Sequence, residues 1–146
     1  MAFAGSGMSK IKNHWLMKSE PDCYSWDDLV AEGEGTWDGV RNYTARNNLR
    51  AMQPGDLVFF YHSNIGVEIV GIAEITQSGL PDPSDDTGRW SAVKLMPVRK
   101  LAQPVTLKAI KADPALAEME LLTKFRLSVS AVNQAEWDHI LAMAGG

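Results

Sequence analysis

The chain has 146 residues, 45% of them apolar and 22% charged, with a net charge of −4 and an isoelectric point near 5.3, which is enough to bury one core at the common size of a single domain. The acidic balance excludes a protein that coats nucleic acid by indiscriminate phosphate neutralisation. The lone Cys23 excludes an internal disulfide, no cysteine pair or His-x-x-x-His spacing marks a zinc site, and no run of about 18 apolar residues offers a membrane helix.

Residues 1–12 read as an added leader (Met1 to Gly7) ahead of a second methionine, Met8, and as a disordered N-terminus; the domain is placed at 13–144. The first residues lack the charged start and apolar stretch of a signal peptide, so a cytoplasmic protein is expected, nucleoid-associated in a bacterium or nuclear in a eukaryote. His14 to Lys18 is a short apolar run broken by Ser19-Glu20-Pro21-Asp22, hence a buried strand entering a loop. Ser25 opens a helix, with Asp28 completing an acidic capping box and Trp26, Leu29 and Val30 on one face, until Gly33 and Gly35 stop it.

Thr36-Trp37-Asp38-Gly39 is then a glycine-marked turn. If Trp37 faces a cleft there, its ring next to Asp38, Arg41 and Asn42 can sandwich a planar base and read its polar edge; the alternative is one more core aromatic. Asn42 caps the next helix, whose apolar stripe is Ala45, Leu49 and Met52 and whose polar face is Tyr43, Arg46, Asn47 and Arg50. Arginines at i and i+4 repel unless something anionic lies across them, either a phosphate or carboxylates from the acid-rich 20–38 region.

Pro54-Gly55-Asp56 is a turn, Leu57 to His62 a strand, and Val67 to Gln77 its hairpin partner, in which Gly71 predicts a bulge or a close backbone approach. Pro81 to Asp86 reads as an exposed acidic loop, and Trp90 to Val98 as another strand with Trp90, Ala92, Lys94, Met96 and Val98 on one side. Pro104-Val105-Thr106 introduces a short helix to about Ala112, Asp113-Pro114 a further turn of helix to Met119, and Phe125 to Val129 an extended piece. A last helix from Gln134 to Met143 closes the core through Trp137, Ile140, Leu141 and Ala144. Strands and short helices mixed without βαβ alternation indicate an α+β domain on a small mixed sheet or barrel.

Signatures of catalysis are missing: there is no G-x-S-x-G elbow, no phosphate-binding glycine loop and no H-E-x-x-H, and His14, His62 and His139 stand without a patterned nucleophile. The motifs W-L-M-K-S-E-P-D (Trp15 to Asp22), T-W-D-G-V-R-N-Y-T-A-R-N (Thr36 to Asn47), G-D-L-V-F-F-Y-H-S-N (Gly55 to Asn64), V-G-I-A-E (Val70 to Glu74) and R-L-S-V (Arg126 to Val129) together resemble the EVE domain family. That resemblance spans His14 to about Ala142. It implies a PUA-like fold, an open, mixed, mostly antiparallel β-barrel flanked by short helices and related to YTH domains. It also implies a reader of modified bases, notably modified cytosines such as 5-methylcytosine in DNA, with the base held in an aromatic-walled pocket. The short acidic stretch Pro81 to Thr87 departs from longer members, which often carry an extended loop there.

Carried over onto this chain, the resemblance gathers Lys18, Ser19, Trp37, Asp38, Gly39, Asn42, Tyr61, Ser63, Arg126 and Ser128 around one pocket. Arg41, Arg46 and Arg50 are expected to hold phosphates, since such contacts fix register without conveying sequence. The expected protein is non-enzymatic, without cofactor or metal, monomeric, and bound to DNA in preference to RNA, with no membrane partner. Two rivals stand beside it: an enzyme or small-molecule and nucleotide binder that uses the same pocket, with His62 as the candidate base, and a protein-interaction module.

Overall fold

In the computed structural model, which describes residues 13–64 and 66–145, the alternating stretches of the sequence form a six-stranded mixed sheet. The leader proposed for residues 1–12 lies outside the described residues. In chain order the elements are β1 (His14–Ser19), α1 (Trp26–Glu32), β2 (Gly35–Trp37), α2 (Tyr43–Ala51), β3 (Leu57–His62), β4 (Glu68–Pro81), β5 (Ser91–Thr106), α3 (Leu107–Ala112), a 3-10 turn (Pro114–Leu116), α4 (Glu120–Thr123), β6 (Val129–Val132) and α5 (Gln134–Met143). The strand order is β2-β5-β4-β3-β1-β6; only β1 and β3 run parallel, and the sheet is open, with β2 and β6 at its two edges.

Strand β3 organises the interior because both its faces are covered. Val58 and Phe60 point into a core completed by Trp26 and Leu29 of α1, Ala45 and Leu49 of α2, and Trp37. Phe59 and Tyr61 point into a second core with Ile110, Leu116, Met119, Trp137 and Ile140. Strand β5 belongs to both, with Val93 and Leu95 in the first and Leu101 and Val105 in the second, so the sheet coils from one core to the other. Trp137 stacks on Phe59 at a centroid distance of 3.7 Å, which fastens α5 to the sheet.

Local chemistry sets the helix starts, at Ser25 and Asn42 as expected and at Asn133 through a cap that was not anticipated. Ser25 and Asp28 form the capping box of α1, Asn42 accepts from the Ala45 N–H at α2, and Asn133 with Glu136 caps α5. Val30, expected on the buried face of α1, is exposed.

The boundaries differ from expectation at three places. Gly35 to Trp37 is a strand rather than a turn, because it pairs with Val93 to Leu95 of β5. Strand β5 runs on to Thr106, through Pro97 and Pro104; β2 pairs only with residues 93–95, so beyond them the outer edge of β5 needs no ladder donor and tolerates proline. The extended piece expected from Phe125 begins at Val129, where pairing with β1 starts, and α4 precedes it.

Gly71 satisfies both of its expectations. The β3–β4 register shifts between Phe60 and Tyr61, leaving Val70 as the extra residue of a bulge, and a Cβ on Gly71 would lie 2.6 Å from ring atoms of Trp26. Strand and helix therefore touch without an intervening side chain. Gly71→Ala should destabilise the protein by about 1–3 kcal/mol through overpacking. Combined with Trp26→Phe, it should cost less than the sum of the two single changes, as measured by denaturant unfolding of all three variants.

His62 does structural work at the same junction: its Nε2 accepts the Trp26 N–H at 3.1 Å, at the start of α1. Burial lowers the imidazole pKa, Glu68 and Asp27 oppose that, and Lys100 reinforces it. A depressed pKa means that the unfolded chain binds the proton first as pH falls. The contribution is therefore present above the unfolded value of about 6.5 and is lost as pH falls toward the folded value. Unfolding measured from pH 7.5 down to 5 should show a loss of stability that is smaller in His62→Gln, whose amide oxygen can accept the same bond without titrating.

Candidate nucleic-acid interface

The end of β1, the loop into α1, the end of β2 with the turn after it, and Ser128 ahead of β6 meet around an open cavity of about 500 Å³. That is ample for a nucleobase-sized ligand. Its lining brings together Lys18, Ser19, Trp37, Asp38, Gly39, Arg41 and Ser128, all anticipated, with Glu20, Cys23, Tyr24, Thr36 and Val40, which were not. The missed residues are those that flank the expected ones in the two turns, and their own types carry no signal.

Each wall is fixed by backbone pairing. The Lys18 N–H donates to the Ser128 carbonyl at 2.9 Å, the Ser63 N–H to the Ser19 carbonyl at 2.9 Å, and the Ser19 hydroxyl to the Tyr24 carbonyl. The Lys18 ammonium donates to the Phe125 carbonyl at 2.6 Å and lies over the Phe125 and Tyr61 rings, while burial lowers its pKa. Burial, then the hydrogen bond to Glu32, raises the Tyr24 phenol above its usual range.

Trp37 is only 8% exposed. Its ring meets Phe60 and Tyr24 edge to face, at centroid distances of 5.6 and 6.3 Å, so it is a core aromatic that also lines the cavity, rather than a platform with one face open. The strand pairing of Gly35 to Trp37 turns this side chain inward.

The turn that follows is held by Asp82, which sits in the stretch read as an exposed loop yet is 1% exposed. Gly39, at φ 76°, donates its N–H to Asp82 Oδ2 at 2.9 Å, and Arg41 Nη1 reaches the same oxygen at 2.9 Å. Ser84 donates to Oδ1 from its N–H at 2.7 Å and its hydroxyl at 2.6 Å. Burial alone would raise this carboxyl, but the bonds from Ser84, Arg41 and Gly39 outweigh it and hold the group well below the usual carboxylate range. The Pro81-Asp82-Pro83-Ser84 spacing, an acid two residues ahead of the N–H it accepts, is the signal that could have found it.

The other expected residues lie elsewhere. Asn42 and Arg126 line a neighbouring cleft of about 400 Å³ with Thr44 and residues 123–127, and the Asn42 side chain is committed to its cap. Tyr61, 2% exposed, belongs to the second core, and burial pushes its phenol up to about 12; neither it nor Ser63 lines the cavity. His62 is also outside the lining. The anion anticipated across Arg46 and Arg50 is not what the chain supplies: neutral oxygens occupy both, and a carboxylate faces Arg41 instead. Arg46 donates to the Arg89 carbonyl, Arg50 to the Ser91 hydroxyl and to the Gly88 and Arg89 carbonyls, and Arg41 to Asp82 and Ser84. Trp90, expected on a strand face, precedes β5, is half-buried, and stacks on Tyr43 at 5.0 Å with Arg41 and Arg46 beside it.

The profile of the EVE domain matches residues 13–143. Mouse thymocyte nuclear protein 1 is 37% identical, over 94% of this chain and 76% of its own length. An NMR structure of a Rhodopseudomonas palustris protein is 47% identical, covering 91% of this chain and 93% of that one, with a TM-score of 0.87. Human THYN1, solved in complex with 5-methylcytosine-containing DNA, is 34% identical over 92% of this chain and 99% of that one, with a TM-score of 0.86. A YTH domain from Zygosaccharomyces rouxii shares the fold at a TM-score of 0.59 and 17% identity. With its motifs, its open mixed sheet and these matches in agreement, the chain belongs to the EVE domain family.

Proposed function

We propose that the chain is a non-enzymatic reader of a modified cytosine in DNA, and that the base enters the cavity between Lys18, Trp37, Asp38 and Ser128. The observation that carries this reading is the composition of that lining, which combines the apolar Trp37, Tyr24 and Val40 with the polar Lys18, Ser19, Asp38 and Ser128. Cytosine presents an exocyclic amine beside two acceptors on its pairing edge. The exposed Asp38 carboxylate can accept from the amine, while the Lys18 ammonium and the serine hydroxyls can donate to the acceptors. A methyl group on the ring gains from those apolar side chains. The THYN1 complex supports DNA as the partner, since that relative was solved with DNA that contains 5-methylcytosine.

A binding role fits the chemistry better than a catalytic one. No histidine is among the lining residues, and the candidate base, His62, already accepts the Trp26 N–H. Reading DNA would place the protein in the nucleoid or the nucleus. Among the described residues no helix is long and apolar enough to cross a membrane. Of the three arginines first considered for phosphates, Arg41 alone lines the cavity, and its guanidinium already donates to Asp82 and Ser84.

Fluorescence anisotropy with oligonucleotides that differ only in cytosine or 5-methylcytosine tests the reading. The parent should prefer the methylated strand, and Asp38→Ala should weaken that binding about tenfold or more, the loss of one hydrogen bond to a charged group. Because Asp38 is exposed, the melting temperature should hold. Equal affinity of the parent for both strands, or unchanged binding by Asp38→Ala, would contradict the reading.

A further inference from the structure

Among the described residues, the most exposed large hydrophobic side chain is Phe125, at 60%. It lies in the turn between α4 and β6, between the exposed cations Lys124 and Arg126. Its stem is fixed: Lys18 holds its carbonyl at 2.6 Å, the Leu127 N–H donates to the Lys124 carbonyl at 2.9 Å, and Leu127 is buried in the first core. The chain thus presents a phenyl ring beside Lys18, which lines the cavity, and within the neighbouring cleft that Asn42 and Arg126 line.

A second exposed aromatic, Tyr43, is stacked on Trp90. That surface carries Asp85 and Asp86 beside Arg41 and Arg46, whose donors are taken up by Asp82, Ser84, Asn47 and the Arg89 carbonyl. The Phe125 side carries Lys124, shared with Glu120 at 3.1 Å, together with Arg126 and the Lys18 ammonium. Lys124 and Arg126 thus offer two exposed cations to the backbone of a nucleic acid on either side of Phe125.

A base paired in a duplex can reach the cavity only by leaving its stack, which leaves a gap of one base and an unpaired partner strand. Apolar side chains that enter base steps compensate part of that unstacking. From these observations, and resting on the modified-cytosine reading above, we infer that Phe125 is a wedge that occupies the space vacated in duplex DNA by the extruded base, with Lys124 and Arg126 against the flanking phosphates. The ring makes no contribution of this kind on a single strand, where there is no stack to refill.

The test uses the full chain and one oligonucleotide carrying a single 5-methylcytosine, supplied as a single strand, as a matched duplex and as a duplex with that base mispaired. The mispaired duplex should bind the parent more tightly because its base is cheaper to extrude, while Phe125→Ala should weaken both duplexes about tenfold, since the vacated space is the same, and leave the single strand within about twofold. Phe125→Leu, which keeps an apolar wedge, should recover most of the duplex affinity. Equal losses on all three probes would make Phe125 a direct contact to the base, and an unchanged duplex affinity would make it a surface for some other partner; either result overturns the wedge while leaving the modified-base reading intact. A parent protein that fails to distinguish 5-methylcytosine from cytosine on the single strand overturns both. Melting temperatures of the variants equal to the parent's confirm that folding is not the cause.

Discussion

The buried carboxylate of Asp82 is the interaction on which the candidate site depends. It has left water almost completely, a cost that only a full set of donors can offset, and the chain supplies Gly39, Arg41 and both donors of Ser84. Because those donors come from the turn after β2 and from the loop before β5, one side chain fixes the first against the second. The turn carries Asp38 and Gly39 into the cavity, and Trp37 is carried in with them by its strand. The site is therefore held by an ionised group that takes no part in lining it.

Asp56 does for the frame what Asp82 does for the site. Also buried, it accepts the Trp15 indole N–H at 3.0 Å, the Gln53 N–H at 3.0 Å and the Asn13 N–H, tying the start of β3 to β1, its parallel neighbour. Lys18 and Ser19 sit at the far end of that same parallel pair. Their position at the cavity is thus a consequence of register: a slip of one residue would turn both side chains to the opposite face.

How much of this was legible varied with the kind of signal. The starts of α1 and α2 were, because caps are local: Ser25 and Asn42 each satisfy a backbone donor three residues on. The bulge at Gly71 was legible because only a glycine admits the Trp26 ring so closely. Gathering Lys18, Trp37, Asp38 and Ser128 at one pocket required the family resemblance, since no local pattern links residues so far apart in sequence. What failed was mostly non-local. The extent of β5 depends on which edge is paired, the burial of Trp37 on a three-residue strand, and the engagement of the arginines on a loop some 40 positions away. Tyr61 was placed at the pocket, although alternation along β3 sends it to the other core from Phe60.

The central claim is one of place: a modified cytosine sits between the end of β1 and the turn after β2. Backbone amide chemical shifts followed by NMR, as the full chain is titrated with a short single strand carrying one 5-methylcytosine, test it without altering any residue. The account predicts that the largest methyl-dependent shifts fall on Lys18, Ser19, Asp38, Gly39 and Ser128, relative to the same strand with cytosine. Shifts centred instead on Tyr43 and Trp90, or on α5, with those five amides unmoved, would contradict it.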